Sequence, residues 1–197
     1  MLEEKWASPE DFAMLFQYFW HRDFPMDQKS PGARRSDWTI HTGIVVRNIA
    51  DLFGFHTRFE SGKRKDAVVR NAEQDVIAIE WEWEGVWGNE VEKLKKHKVW
   101  SYDKDSERLL RYAVFITYTH TPNIEKVYNH VIEKWEGAQW PLLLILIDLE
   151  ESKKYFSHKE FKHVQMSVFD EGKRRELRSV PAFPWKVYGT RWSRELK

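Results

Sequence analysis

Val76-Ile77-Ala78-Ile79-Glu80-Trp81-Glu82-Trp83-Glu84 is the stretch that decides how this chain is read. Its residues alternate with a period of two, which is the signature of a β-strand. Ile77, Ile79, Trp81 and Trp83 fall on one face; Ala78, Glu80, Glu82 and Glu84 fall on the other. Just upstream, residues 55–60 and 65–70 read as two further short strands. The turn candidates Ser61-Gly62-Lys63-Arg64 and Asn71-Ala72-Glu73-Gln74 follow them. Such short turns predict antiparallel pairing, so the three strands form a meander.

Helical spacing takes over on either side. Residues 37–53 put Thr42, Val45, Val46, Ile49, Leu52 and Phe53 on one face, with Ser36 or Asp37 as cap and Gly54 as stop. Ser8 followed by Pro9, Glu10 and Asp11 starts an earlier helix that runs to about residue 20. Residues 21–36, with Pro25, Pro31 and Gly32, read as an irregular connection. After the meander, Asn89 can cap a helix over 90–100, residues 113–118 form a strand, and Thr121-Pro122 open a helix. That helix carries Ile124, Val127, Tyr128, Val131, Ile132 and Trp135 on one stripe. Residues 142–147 are continuously apolar, as expected of a strand covered on both faces, so this strand–helix–strand unit predicts a parallel pair. Residues 164–169 and 174–180, joined through Asp170-Glu171-Gly172, read as a hairpin. The fold class is therefore α/β with a mixed sheet of the α+β kind, in a single domain over residues 1–197.

Composition narrows the chemistry. With no cysteine, the chain has no disulfide framework, zinc ribbon, iron–sulfur site or thiol nucleophile. The 32 basic and 31 acidic residues leave a net charge of +1, so any grip on nucleic acid must come from local patches. The longest apolar run is too short to span a membrane and the acidic N-terminus has no signal-peptide profile, so an intracellular, cytoplasmic protein with no membrane partner is expected. Eleven tryptophans imply a large aromatic core, stacking surfaces, or both. None of the eight histidines pairs at zinc-ligand spacing, and they read as structural.

The candidate chemistry sits on the meander. Glu80 and Glu82 project from the same side of one strand, roughly 6.5–7 Å apart along the backbone. Asp66, near the start of the adjacent strand, can join them in a cluster of three acids. Carboxylates in contact repel and raise one another's pKa, so such a cluster calls for a cation: Arg, Lys or a hard divalent metal. The competing reading is a wet sheet face, with Arg58 or Arg70 as ordinary partners of the glutamates.

At this point the sequence resembles the PD-(D/E)XK nuclease superfamily, the restriction-endonuclease-like fold. Its core of helix, three-strand meander, helix and strand is matched in order by residues 37–119. Lys65-Asp66-Ala67-Val68 is similar to the first motif element, without its preceding proline. Ile79-Glu80-Trp81-Glu82 is similar to the second, with Glu82 where the lysine usually stands. The resemblance implies a nuclease-like core at about 37–149, an N-terminal helical extension at 1–36 and a C-terminal hairpin extension at 150–197. It also implies Asp66 and Glu80 as ligands of Mg2+ (or Mn2+), with Glu82 orienting or activating the attacking water. Asp51 on the preceding helix and Lys93 (or Lys96) on the following one are accessory candidates.

Three basic segments are candidate contacts for DNA, with RNA not excluded. Lys63, Arg64 and Lys65 precede Asp66 and would lie near the scissile phosphate. Lys93, Lys95, Lys96 and Lys98 read as a salt-bridged helix face. Lys173, Arg174, Arg175 and Arg178 form a candidate β-ribbon. Trp81 and Trp83 are expected to pack under the sheet; Trp87, beside Gly88, is the stacking candidate. The function implied is metal-dependent hydrolysis of DNA phosphodiester bonds by an endonuclease, with a homodimer as one arrangement. Its alternatives are a nuclease-like nucleic-acid-binding or assembly module without catalysis, and an unrelated α/β binding protein.

Overall fold

A computed structural model describes residues 7–26, 35–61, 65–83, 88–103, 109–151 and 159–189. Helices α1 (Pro9–Arg22) and α2 (Arg35–Leu52) precede the meander β1 (His56–Ser61), β2 (Lys65–Arg70) and β3 (Asp75–Glu82). Then come α3 (Glu90–Lys95), β4 (Tyr112–His120), α4 (Ile124–Trp135), β5 (Leu142–Glu151), β6 (Lys159–Asp170) and β7 (Lys173–Pro181). The seven strands lie side by side in chain order in one sheet. β1–β2–β3 and β5–β6–β7 are antiparallel, while β3–β4 and β4–β5 are parallel. Where strands are joined by turns they run antiparallel; where α3 and α4 intervene they run parallel.

Helices cover both faces. Alternate residues of the central strands, such as Ile77, Ile79, Val114 and Ile145, join Phe12, Phe16, Trp20, Val45 and Ile49 of α1 and α2 in the larger core. The residues between them, Ala78, Ala113, Phe115, Leu142 and Leu144, pack against Val91 and Leu94 of α3 and Val127 and Val131 of α4. This double coverage explains the unbroken apolar run of β5, whose residues from Leu142 to Ile147 are all fully buried.

Local chemistry sets the boundaries. Ser8 caps α1 through a reciprocal box: its hydroxyl accepts from the Asp11 backbone N–H at 3.1 Å, and the Asp11 carboxylate accepts from the Ser8 N–H at 3.0 Å. Asn71 Oδ1 accepts from the Glu73 and Gln74 N–H groups and closes the turn before β3. Glu171 and Gly172 both take positive φ (48° and 73°), as a two-residue β6–β7 turn requires.

Helix α3 is shorter than expected, ending at Lys95 rather than near residue 100. Asn89 forms no side-chain cap, and Trp100 is drawn off into extended backbone hydrogen bonding with Asp75. Thr121 and Pro122 first make a 3-10 turn, from which α4 proceeds. Among the described residues no helix is long and apolar enough to cross a membrane.

Candidate active site

The last paired residues of β2 and β3 toward the β1–β2 turn are Ala67 and Ile79. Continuing that register by one sets Asp66 opposite Glu80, on the same side of the sheet. Beyond this point side-chain chemistry replaces the ladder: Asp66 Oδ2 accepts the Trp81 backbone N–H at 2.7 Å. The carboxylate thus occupies the opening where the two strands part. Glu80 is only 3% exposed, and its carboxyl lies close enough to that of Asp66 to act on its charge.

Burial is the main force on Asp66 and pushes its pKa up. The Trp81 N–H and the Glu80 contact favour the ionised form, Glu82 repels it, and Lys93 attracts it from α3. Two neighbouring carboxyls are eased by a proton or a cation between them. This pair matches what a magnesium ion asks of a protein when it keeps several waters, namely one or two carboxylates rather than an all-protein cage.

The expected cluster of three acids does not form. Strict alternation would aim Glu82 beside Glu80, but Glu82 is the last residue of β3, and its Oε1 meets Arg35 Nη2 at 2.7 Å. The same oxygen accepts the Trp83 N–H at 2.9 Å. Among the described residues no group of three His, Asp or Glu side chains converges as a metal site.

The accessory candidates divide. Lys93 ion-pairs with Glu90 at 3.3 Å, and its charge reaches Asp66. Asp51 stands at the far end of α2, exposed and 3.9 Å from Arg47. It is about 13 Å along the helix from Thr42, the last α2 residue near the site. Lys65 begins β2, paired with Ser61. Lys63, Arg64 and Trp87 lie outside the described residues.

Beside the carboxyl pair, a cleft of about 190 Å³ opens between the N-terminal half of α2 and the ends of β2, β3 and β4. Arg35, Trp38, Thr39 and Thr42 line it from α2; Asp66, Trp81, Glu82, Trp83 and Tyr118 line it from the strands. Arg35 lies in a stretch whose prolines and glycine read as a loop, and neither Trp38 nor Tyr118 carries a site signal in the sequence. Nothing in their spacing marks them as neighbours of Asp66.

Compared with known proteins, the chain matches no family model, no curated protein and no solved structure.

Several side chains of the other basic segments are engaged within the fold. Lys96 pairs with Glu92 at 2.9 Å, in keeping with a salt-bridged α3. On β7, Arg174 lies 3.4 Å over the Tyr128 ring, Arg175 pairs with Glu10, and Arg178 donates to Gln17 at 2.5 Å. Those arginines dock β7 onto α1 and α4. Two buried acids away from the cleft are structural. Asp75 holds Arg70 at 2.6 Å and His97 at 3.2 Å; Asp148 accepts the His163 N–H at 2.8 Å and the Thr121 hydroxyl at 3.2 Å.

Proposed function

We propose that this protein is a metal-dependent nuclease that hydrolyses DNA phosphodiester bonds, built on a restriction-endonuclease-like core. One observation carries the reading: the carboxyls of Asp66 and the buried Glu80 are brought together where β2 and β3 separate, with Asp66 oriented by the Trp81 N–H. The order helix, meander, helix and parallel strand around that point supports it, with β3 and β4 paired in parallel from Ile77↔Tyr112 to Glu82↔Thr117.

Asp66 and Glu80 would hold Mg2+ or Mn2+. When bound, the ion supplies a more acidic water and stabilises charge on the phosphate. The chain's own residues do the rest. The Trp81 N–H fixes the orientation of Asp66, and burial keeps Glu80 from competing solvent. Lys93 adds positive charge on the α3 side. Glu82, once released from Arg35, is the base for the attacking water; the freed Arg35 guanidinium can hold a phosphate oxygen bidentately.

The Glu82–Arg35 ion pair also favours a second reading, a nucleic-acid-binding module of the same fold that does not cut, because it occupies the base. A cleavage assay on labelled DNA and RNA with Mg2+ or Mn2+ separates the two. Cutting by the wild type that disappears with chelator and in Glu80→Ala supports the nuclease. Binding of DNA without cutting at any metal concentration supports the module.

A further inference from the structure

We infer that the cleft beside Asp66 is a stacking pocket for one unpaired DNA base, so that the substrate is DNA carrying an unpaired nucleotide rather than continuous duplex. This rests on the nuclease reading above and adds the substrate class.

The walls are aromatic and already held in place. Trp38 is clamped by Trp20 (ring centres 5.7 Å apart, 21° between planes) and by Phe161 edge-on at 4.5 Å. Trp83 stacks on Tyr118 at 4.2 Å, and Trp81 is braced by Phe59 at 6.4 Å. Trp81 and Trp83 are only partly buried, so part of each indole is open to an incoming ring. A base gains by stacking on such surfaces whatever its identity.

The volume suits a single flat ring system. A duplex cannot enter about 190 Å³, whereas an extruded or single-stranded base can.

The polar groups fit a neutral, hydrogen-bonding occupant. The Tyr118 hydroxyl is buried and makes no well-formed hydrogen bond, although Thr42 is near. It can take up the polar edge of a base. Arg35 is paired with Glu82 at the cleft, and the Lys93 charge reaches Asp66 while its ammonium pairs with Glu90. Asp66 is itself a lining residue of the cleft, so a base seated there lies next to the carboxyl pair. The β7 arginines, a candidate grip on duplex, are engaged with α1 and α4.

The test uses the full chain with Ca2+ in place of Mg2+ and a short single-stranded oligonucleotide carrying one 2-aminopurine, compared with its fully paired duplex. Stacking quenches 2-aminopurine, and anisotropy of an end label reports affinity. Wild type should quench the single strand and bind it more tightly than duplex. Trp81→Ala, and independently Thr39→Trp, which fills the cleft from an exposed rim position, should each weaken single-strand binding about tenfold and abolish the quench. Circular dichroism checks that each variant is folded; a misfolded Trp81→Ala leaves Thr39→Trp to decide. Equal binding of both forms, or single-strand binding unchanged in a folded variant, overturns the pocket. The nuclease reading fails separately: it is lost if wild type with Mg2+ or Mn2+ cuts no DNA of either form.

Discussion

Helix α2, which forms one wall of the cleft, is anchored through a histidine whose titration should be measurable. His41 is 2% exposed and packed among Trp20 at 4.7 Å, Phe24 at 6.0 Å and Trp38 at 6.1 Å. Neither ring nitrogen makes a well-formed hydrogen bond. Burial pushes its pKa from the ordinary 6.5 down to about 4; attraction from Asp23 and the backbone of Asp23 and Trp20 offsets this only in part, and His21 repels. The neutral ring is therefore the folded form, while the unfolded chain takes up a proton below about 6.5. The unfolded state binds more protons throughout that window, so stability falls as pH falls. With these two values the loss is about 2 kcal/mol between pH 7 and pH 5, and about 3 kcal/mol by pH 4. Urea unfolding followed by tryptophan fluorescence at each pH, for wild type and His41→Phe, isolates this share. The variant alters absolute stability by its own packing, but it should lose about 2 kcal/mol less than wild type between pH 7 and pH 5. Parallel pH profiles for the two proteins would refute the reasoning, because His41 would then titrate alike in both states.

Two further outcomes concern the carboxylates. Asp66 has a raised pKa because it is buried, so its contribution is present at low pH and is lost as pH rises through its folded value. Glu80→Gln leaves Asp66 buried but replaces the second buried acid beside it with a neutral amide, and should raise the Tm at neutral pH in chelator, while abolishing the Tm gain that Mg2+ gives wild type by linkage; a metal-dependent gain that survives in Glu80→Gln would remove Glu80 from the site. Asp75 behaves in the opposite sense. Burial alone would raise its pKa, but His97, the Trp100 N–H and Arg70 together hold it below the ordinary value of 3.8. Its stabilisation is present above that ordinary value and fades as pH falls through the folded one. Asp75→Ala strands Arg70, whose side chain is 14% exposed, and should cost about 3–5 kcal/mol in denaturant titration at pH 7; a loss under 1 kcal/mol would show that the network is replaceable.

Much of the architecture was legible along the chain because the signals were local. Period two in residues 76–83, Asn71 in its turn, Ser8 as the cap of α1 and the apolar run of β5 each report on a few neighbouring residues, and each stands in the structure where the pattern set it. The alternation of β3 even assigned its faces correctly as far as Glu80. It failed at Glu82, since the strand ends there and an arginine 47 residues away in sequence decides where that carboxylate turns. The same physics limits the site. Asp66 and Glu80 were found together because a short antiparallel turn fixes which residues oppose one another. Trp38, Tyr118 and Arg35 were not, because they come from α2 and β4 and meet the carboxyl pair only once the helices have packed onto the sheet. The antiparallel meander, the parallel pair around α4, the C-terminal hairpin and the acids at the end of β3 thus belong to the sequence itself; the order of all seven strands and the β3–β4 and β5–β6 pairings come from the packed sheet. The cleft and the diversion of Glu82 are properties of the packed layers, since burial and long-range contact set the charge state and direction of side chains that local pattern only names.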